Sequence, residues 1–219
     1  MVASIQEEPA PSEASVAGRI GILGGTFDPP HIGHLWLATL VADALDLDRV
    51  LFMPAAHPPH KPQQRLTRTT DRLLMTRLAI QGEPQFELTM IETERPGPSY
   101  TIESVEQLRE AHPDAQLFLL MAADSLRQIE SWREPDRLLS MVEWAVGPRP
   151  GTQMPDHEGL AARFGSAASR IHLLDGPSLD VSSSQIRERV ASGRAIRYLV
   201  PRAVEELIAA RRLYRPRGR

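Results

Sequence analysis

Short, unbroken apolar runs alternate with stretches of helical apolar spacing from residue 19 onward. The runs predict strands at Arg19–Leu23, Arg49–Met53, Phe86–Ile91, Leu117–Met121, Met141–Val146 and Ile171–Leu174. The stretches predict helices at Leu35–Leu47, Thr70–Ile80, Thr101–Ala111, Ser184–Ala191 and Pro201–Arg212. Strands that are apolar on both faces, alternating with helices, favour a parallel sheet covered on both sides. We therefore predict a single α/β domain with a doubly wound parallel sheet and a small C-terminal helical part.

Segments outside this alternation have a different composition. Residues 1–18 are rich in Ala, Ser, Pro and Glu and lack the features of a signal peptide, so we predict a disordered N-terminal extension. Residues 215–219 form a basic C-terminal tail, which leaves 19–214 as the folded domain. A long loop is predicted at Ala55–Thr70, and loops of that length are usually functional. A shorter loop rich in Pro and Gly is predicted at Gly147–Asp156.

Overall composition excludes several classes of protein. Of the 219 residues, 42% are hydrophobic and 24% are charged, which is normal for a globular protein. The formal net charge of −3 offers no field that would recruit nucleic acid. There is no cysteine, and no apolar run approaches the roughly 20 residues of a membrane span. We expect a cytoplasmic protein with neither nucleic acid nor membrane as a partner, and the arginine-rich tail is compatible with a homo-oligomer contact.

The densest chemical signal follows the first predicted strand. Gly24 and Gly25 let the backbone approach a phosphate with no Cβ in the way. The helix that begins after two prolines offers unpaired N–H groups to an anion. His31 and His34 lie three residues apart, so both project from the same face of its first turn, where imidazoles can donate to phosphate oxygens. Gly33 between them keeps this surface open. The spacing fits neither a P-loop nor a dinucleotide-binding pattern.

Zinc is the alternative interpretation of these histidines. His57 and His60 repeat the spacing of His31 and His34, and four imidazoles can ligate a metal. However, structural zinc sites normally use cysteine, and His57 and His60 lie in a rigid proline segment. We therefore predict no protein-bound metal.

A second polar cluster lies near the other end of the chain. Ser182 and Gln185 have the spacing of a capping box, so a helix is expected to begin after the last strand. Its N-terminus carries the hydroxyls of Ser183 and Ser184, and Arg187 in the first turn can bridge phosphate oxygens. Together with the histidine-bearing helix it predicts a two-sided clamp for a triphosphate.

Seven motifs in this order resemble the bacterial nicotinate mononucleotide adenylyltransferase family, over roughly residues 19–214. The matching segments are Gly24–Pro29, Pro58–Lys61, Asp71–Met75, Ser99–Thr101, Asp124 with Trp132, Ser182–Arg187 and Val200–Pro201. The chain departs from the family pattern at Ala122, where glycine is usual, and at Ser184, where threonine is usual. The superfamily motif shared with class I aminoacyl-tRNA synthetases is also present, but the chain is too short for a synthetase.

The resemblance implies a Rossmann-like fold and a reaction. AMP would pass from ATP to nicotinate mononucleotide, giving deamido-NAD and pyrophosphate, with Mg²⁺ held mainly by the ATP phosphates. The implied catalytic residues are His31, His34 and Arg187. The implied ATP-binding residues are Gly24, Gly25, Thr26, Phe27, His31, Gly33, His34, Ser182, Ser183, Ser184, Ile186 and Arg187. The implied substrate-binding residues are Lys61, Tyr100, Thr101, Asp124, Trp132 and Arg149.

Two features of the sequence suit nicotinate mononucleotide, the acid substrate, which carries a carboxylate and a pyridinium ring. The helix at Thr101, which we expect to begin with a threonine cap, offers N–H groups that suit a carboxylate better than an amide. The ring of Trp132 can stack on a pyridinium. Two alternatives remain open at the level of sequence. One is another transferase of the superfamily, acting on phosphopantetheine or nicotinamide mononucleotide, and the other is a non-catalytic nucleotide sensor.

Overall fold

The computed structural model describes residues 18–58 and 66–216. Lys61, His60, most of the predicted N-terminal extension and the last three residues of the tail lie outside this range. Six strands form one sheet: β1 (Arg19–Gly25), β2 (Arg49–Pro54), β3 (Phe86–Leu88), β4 (Gln116–Ala122), β5 (Glu143–Gly147) and β6 (Ile171–Leu173).

All neighbouring strands are parallel, in the order β3-β2-β1-β4-β5-β6. The chain winds outward from β1 in one direction and then returns to β4 to wind in the other. In doubly wound sheets this reversal opens a crevice at the carboxyl ends of the two central strands. Gly24 and Gly25 end β1, and Ala122 ends β4, so this crevice is bounded by residues of the predicted site.

Nine helices are seen in the described part of the chain: α1 (Ile32–Ala44), α2 (Thr69–Ile80), α3 (Ile91–Glu94), α4 (Thr101–Ala111), α5 (Ala123–Leu126), α6 (Pro135–Met141), α7 (His157–Phe164), α8 (Ser183–Ala191) and α9 (Arg202–Ala210). Two 3-10 segments lie at Ile129–Ser131 and Gly165–Arg170. None of the helices within residues 18–58 and 66–216 has the length and apolar character needed to cross a membrane.

Helices cover both faces of the sheet, as the unbroken apolar runs predicted. On one face α4, α5 and α6 pack over alternate residues of the strands, with Trp144 fully buried among them. On the other face α1 and α2 pack over the remaining alternate residues, including Phe52 and Phe118. A third apolar cluster joins α2 to α8 and α9, which form the predicted C-terminal helical part. The doubly wound, Rossmann-like α/β prediction is confirmed.

Several element boundaries were predicted wrongly. The first helix begins at Ile32 rather than Leu35 and ends at Ala44 rather than Leu47. Its start was missed because Gly33 and His34 interrupt the apolar spacing in the first turn. The third strand ends at Leu88 rather than Ile91, and Ile91 is instead the first residue of α3.

The segment between β4 and β6 contains more helix than the sequence predicted. Met141 ends α6 instead of starting β5, and the loop expected at Gly147–Asp156 leads directly into α7. These short helices have too few turns to show clear periodicity. The expected threonine cap of α4 was also wrong: Tyr100 is the N-cap residue, and its side chain accepts no capping hydrogen bond.

Arg72 links α2 to the loops that follow β1 and β2. It is only 1% exposed, and its burial lowers the pKa of its guanidinium. Nη1 donates to the carbonyls of Thr26 at 2.8 Å and Ala55 at 2.7 Å, and Nε donates to that of Thr67 at 3.1 Å. One side chain therefore donates to three carbonyls in two loops, the β1–α1 loop and the β2–α2 loop.

We expect Arg72→Met to lower the free energy of unfolding by about 3 kcal/mol, because it leaves buried carbonyls without donors while keeping the side chain's bulk. The measurement is urea unfolding followed by circular dichroism. Arg77→Met, on the same helix but at an exposed position, is the matched control and should cost less than about 0.5 kcal/mol. Equal unfolding midpoints for the two variants would contradict this role.

Candidate active site

A cleft of about 460 Å³ opens at the carboxyl ends of β1 and β4. Most predicted site residues line it: Gly24, Gly25, Thr26, His31, Gly33, His34, Tyr100, Thr101, Asp124, Trp132, Arg149, Ser182, Ser183, Ser184 and Arg187. Phe27 and Ile186 do not line it. Both side chains are fully buried behind the two helix N-termini, where they support the backbone of the site.

Gly24 and Gly33, two of the three glycines that line the cleft, serve different purposes. Among the described residues, a Cβ on Gly24 would meet only Met53 Cε, at 3.6 Å, so none of them excludes a side chain there. The open position suits close approach of a ligand. A Cβ on Gly33 would lie 2.9 Å from Val181 Cγ1 and 3.1 Å from His31 Nδ1. Gly33 therefore lets α1 approach the segment that leads into α8.

His31 and His34 form a stacked pair at the N-terminus of α1. Their ring centroids are 3.7 Å apart, and Phe27 packs edge-on against His34 at 5.0 Å. The backbone N–H of His31 donates to Nδ1 of His34 at 3.1 Å. Since Nδ1 accepts, Nε2 is the ring nitrogen that carries the donor hydrogen. The sequence spacing thus predicted both the shared face and the proximity to the cleft.

The imidazole of His31 is held neutral. Burial is the main cause, and the charge of Arg149 adds to it, so that the pKa of His31 falls to about 4. Its Nδ1 is buried and meets no hydrogen-bond partner within residues 18–58 and 66–216. An unpaired buried nitrogen is costly and is common where a ligand completes the site.

The N-terminus of α8 lies directly against the turn that precedes α1. Ser182 Oγ accepts from the N–H of Gln185 at 3.2 Å, which confirms the predicted helix start. Ser183 Oγ donates to the carbonyl of Pro29 at 2.8 Å. Arg187 donates to the carbonyl of Asp28 at 2.7 Å and to Ser184 Oγ at 3.0 Å. The two helix N-termini therefore face one cleft and are connected by hydrogen bonds.

The opposite side of the cleft carries the predicted substrate residues. The guanidinium of Arg133 lies 4.6 Å above the ring of Tyr100, at the start of α4. Trp132 lines the cleft, and its ring centroid is 6.4 Å from that of the buried Trp144. Asp124, in α5, pairs with Arg149 at 3.6 Å. Arg149 also donates to the carbonyl of Val181 at 3.4 Å, so it connects the β4 side of the cleft to the α8 side.

Sequence reasoning missed a buried carboxyl group on this side. Glu92 is 4% exposed and lines the cleft, and its burial raises its pKa. Ser104 donates to Glu92 Oε1 at 2.8 Å, and Arg95 donates to Ser104 Oγ at 3.1 Å. This network ties α3 to the first turns of α4. The sequence offered only a lone glutamate directly after the strand predicted at Phe86–Ile91.

Asp28 and Tyr214 were also missed. Asp28 is 1% exposed and accepts from the hydroxyl of Tyr214 at 2.7 Å and from the N–H of Thr67 at 3.0 Å. Asp28 belongs to a motif quoted from the sequence, but it was not assigned a role. Nothing in the sequence indicated that a residue near the C-terminus would reach it.

Metal ligands do not cluster in the described part of the chain, where no three His, Asp or Glu side chains come together as a metal would require. His57 is described and exposed, whereas His60 is outside the described residues, as is Lys61. His31 and His34 are stacked on each other rather than arranged around a common centre.

The sequence and the fold match a known class of protein. The model of the Cytidylyltransferase-like family matches residues 22–189, which include both helix N-termini. The chain is 45% identical to the probable nicotinate-nucleotide adenylyltransferase of Thermomicrobium roseum, over 90% of this chain and 92% of that protein. It is 42% identical to the protein of the same name from Geobacillus thermodenitrificans, over 90% and 86%.

A solved structure agrees in fold. Nicotinic acid mononucleotide adenylyltransferase of Plasmodium falciparum, complexed with NaAD, superposes with a TM-score of 0.76 at 19% identity, covering 90% of this chain and 97% of that one. The class is therefore a cytidylyltransferase-like α/β domain. Within that class, the chain belongs to the nicotinate-nucleotide adenylyltransferase family.

The lowered pKa of His31 has a measurable consequence. In the unfolded chain this imidazole titrates near its ordinary value of 6.5, whereas in the folded protein it titrates at about 4. The unfolded state therefore takes up a proton first as the pH falls, and the free energy of unfolding should decrease between about pH 6.5 and 4. Long-range ¹H–¹⁵N NMR of the histidine rings should show His31 neutral at pH 6. If the His31 ring of the folded protein titrated with a midpoint near pH 6.5, the result would contradict its burial.

Proposed function

We propose that residues 19–214 transfer the AMP portion of ATP to nicotinate mononucleotide, giving deamido-NAD and pyrophosphate as a step in NAD biosynthesis. The observation that supports this most strongly is the pair of helix N-termini, α1 and α8, joined across the turn from Thr26 to Pro30 and open to one cleft. The relatives described above are named for the same activity.

ATP is proposed to lie against these N-termini with its triphosphate between them. Unpaired N–H groups at a helix start attract phosphate oxygens, and two starts can hold adjacent phosphates. Gly24 leaves room for the nucleotide, and Gly25, Thr26 and Gly33 provide backbone along the same wall. The buried Phe27 and Ile186 keep this wall rigid from behind. Ser182, Ser183 and Ser184 add hydroxyl groups at the α8 side.

Nicotinate mononucleotide is proposed to occupy the side bounded by α4 and α5. The start of α4 at Tyr100 and Thr101 would bind the nicotinate carboxylate, for which a helix N-terminus is better suited than for a neutral amide. Trp132 would stack on the pyridinium ring, a contact worth roughly 0.5–2 kcal/mol. Asp124 and Arg149 lie between this side and the ATP side, so they are placed to orient the reacting phosphate. Lys61 remains a proposed phosphate contact outside the described residues.

The chemistry needs positioning and charge stabilisation more than acid–base catalysis. The phosphate of a mononucleotide is already a nucleophile near neutral pH, and it attacks the α-phosphorus in line as pyrophosphate leaves. We assign His34, whose Nε2 is a donor, to the oxygen of the α-phosphate, and His31 to the adjacent phosphate. Arg187 would steady the leaving pyrophosphate. An anion next to His31 opposes the burial that lowers its pKa, so that bound ATP favours the charged imidazole.

The residues present fit Mg²⁺ bound through the substrate. Within the described ranges no cluster of three acidic or imidazole side chains exists to hold an ion on its own. Both carboxylate oxygens of Asp28 are engaged by Thr67 and Tyr214. The ion would therefore be carried mainly by phosphate oxygens and water, where it supplies neutralisation of charge on the leaving group. We expect the reaction to take place in the cytoplasm, with which a cysteine-free chain is compatible.

Pyrophosphate release from ATP tests both the activity and the substrate. The protein should release pyrophosphate with nicotinate mononucleotide far faster than with nicotinamide mononucleotide, because the start of α4 favours a negative charge. Release with the amide alone would point to a different transferase of the superfamily. ATP binding without release with either mononucleotide would point to a nucleotide sensor.

In the same assay, His34→Ala should lower kcat by at least ~100-fold, the effect of removing one donor that stabilises charge in the transition state. His157→Ala, at an exposed position at the start of α7, is the matched control and should keep the parental rate. Thermal melting of both variants should remain close to that of the parent. A His34→Ala variant with near-normal kcat would refute the assigned role.

A further inference from the structure

The turn from Thr26 to Pro30 is held almost entirely by side chains from other elements. Its carbonyl oxygens at Thr26, Asp28 and Pro29 accept from Arg72, Arg187 and Ser183, respectively. These donors come from α2 and α8. These carbonyls are paired by side chains and not by the backbone hydrogen bonds of a strand or helix. The shape of the turn therefore depends on these external donors.

The carboxylate of Asp28 adds two further attachments to the same turn. Oδ2 accepts from the N–H of Thr67, in the segment before α2, and Oδ1 accepts from the hydroxyl of Tyr214. Asp28 is almost fully buried, so each of its oxygens needs a donor. Tyr214 is the only one of these partners that lies beyond α9.

The chain after α9 bends back to bring Tyr214 to this position. Arg212 and Tyr214 have left-handed backbone conformations, with φ of 50° and 62°. Arg211 forms an ion pair with Asp71 at the start of α2. The Tyr214 hydroxyl also lies 3.7 Å from Met75 Sδ, within the apolar cluster that joins α2, α8 and α9. Burial, together with the charge of Asp28, raises the pKa of Tyr214, so the hydroxyl stays a donor throughout the physiological range.

We propose that Tyr214 is a positioning residue for ATP: its hydroxyl holds the Asp28 carboxylate and thereby sets the turn that spaces the N-termini of α1 and α8. This rests on the proposed placement of the triphosphate between those N-termini. Asp28 is the link, since its carboxylate binds Tyr214 while its carbonyl binds Arg187. The C-terminal segment is thus a functional part of the nucleotide site, although none of its described residues lines the cleft.

The test is Tyr214→Phe, which removes one oxygen and keeps the ring that packs against α2. We expect the Kd for a non-hydrolysable ATP analogue, measured by calorimetry, to rise about tenfold, the scale of losing a hydrogen bond to a charged group. The KM for nicotinate mononucleotide should change less than twofold. Tyr198→Phe is the matched control, because Tyr198 is 81% exposed near the same end of the chain, and it should bind the analogue like the parent.

A double-mutant cycle distinguishes positioning through Asp28 from a general loss of stability. Asp28→Asn and Tyr214→Phe should weaken binding of the analogue non-additively, because both alter the same contact. Additive effects, or a lower melting temperature for Tyr214→Phe with an unchanged Kd, would overturn the proposal. Binding of the analogue is measured without turnover. A parent protein that binds it but releases no pyrophosphate would therefore refute the proposed reaction and leave this positioning role standing.

Discussion

The hydrogen bonds that hold the turn between β1 and α1 are the constraint on which the rest of the site depends. A helix N-terminus attracts phosphate only where its N–H groups face a ligand, and two such N-termini act together only at a fixed spacing. Ser183 and Arg187 fix that spacing by donating to Pro29 and Asp28 across the boundary between the first and last parts of the fold. Arg72, from α2, holds the same turn by donating to the carbonyl of Thr26.

The parallel sheet explains why residues so far apart in the chain meet here. The carboxyl ends of β1 and β4 lie side by side because the winding direction reverses between them. That reversal brings the end of β1 next to Asp124, while α8 returns to the same edge after β6. One wall of the cleft therefore consists of helix starts suited to phosphates. The other wall combines aromatic rings with charged groups, among them Arg133, which forms an ion pair with Glu103.

The sequence predicted those features of the fold and the site that depend on residues close together in the chain. The glycine turn, the histidine pair and the Ser182 cap were predicted because each depends only on residue types and their spacing within a few positions. The strands were visible because burial on both faces leaves unbroken apolar runs. The helices between β4 and β6 were missed because they are short, and the cap at Thr101 was wrong because Tyr100 occupies that position. Glu92 and Tyr214 act through contacts distant in sequence, and such contacts leave no periodic signal.

The most direct test of the two-sided phosphate site is a crystal structure with a non-hydrolysable ATP analogue. We predict that phosphate oxygens of one triphosphate lie within hydrogen-bonding distance of His31 or His34 and, in the same molecule, of Ser183, Ser184 or Arg187. A triphosphate that contacts only one of the two helix N-termini, or that lies outside the cleft between β1 and β4, would contradict this account.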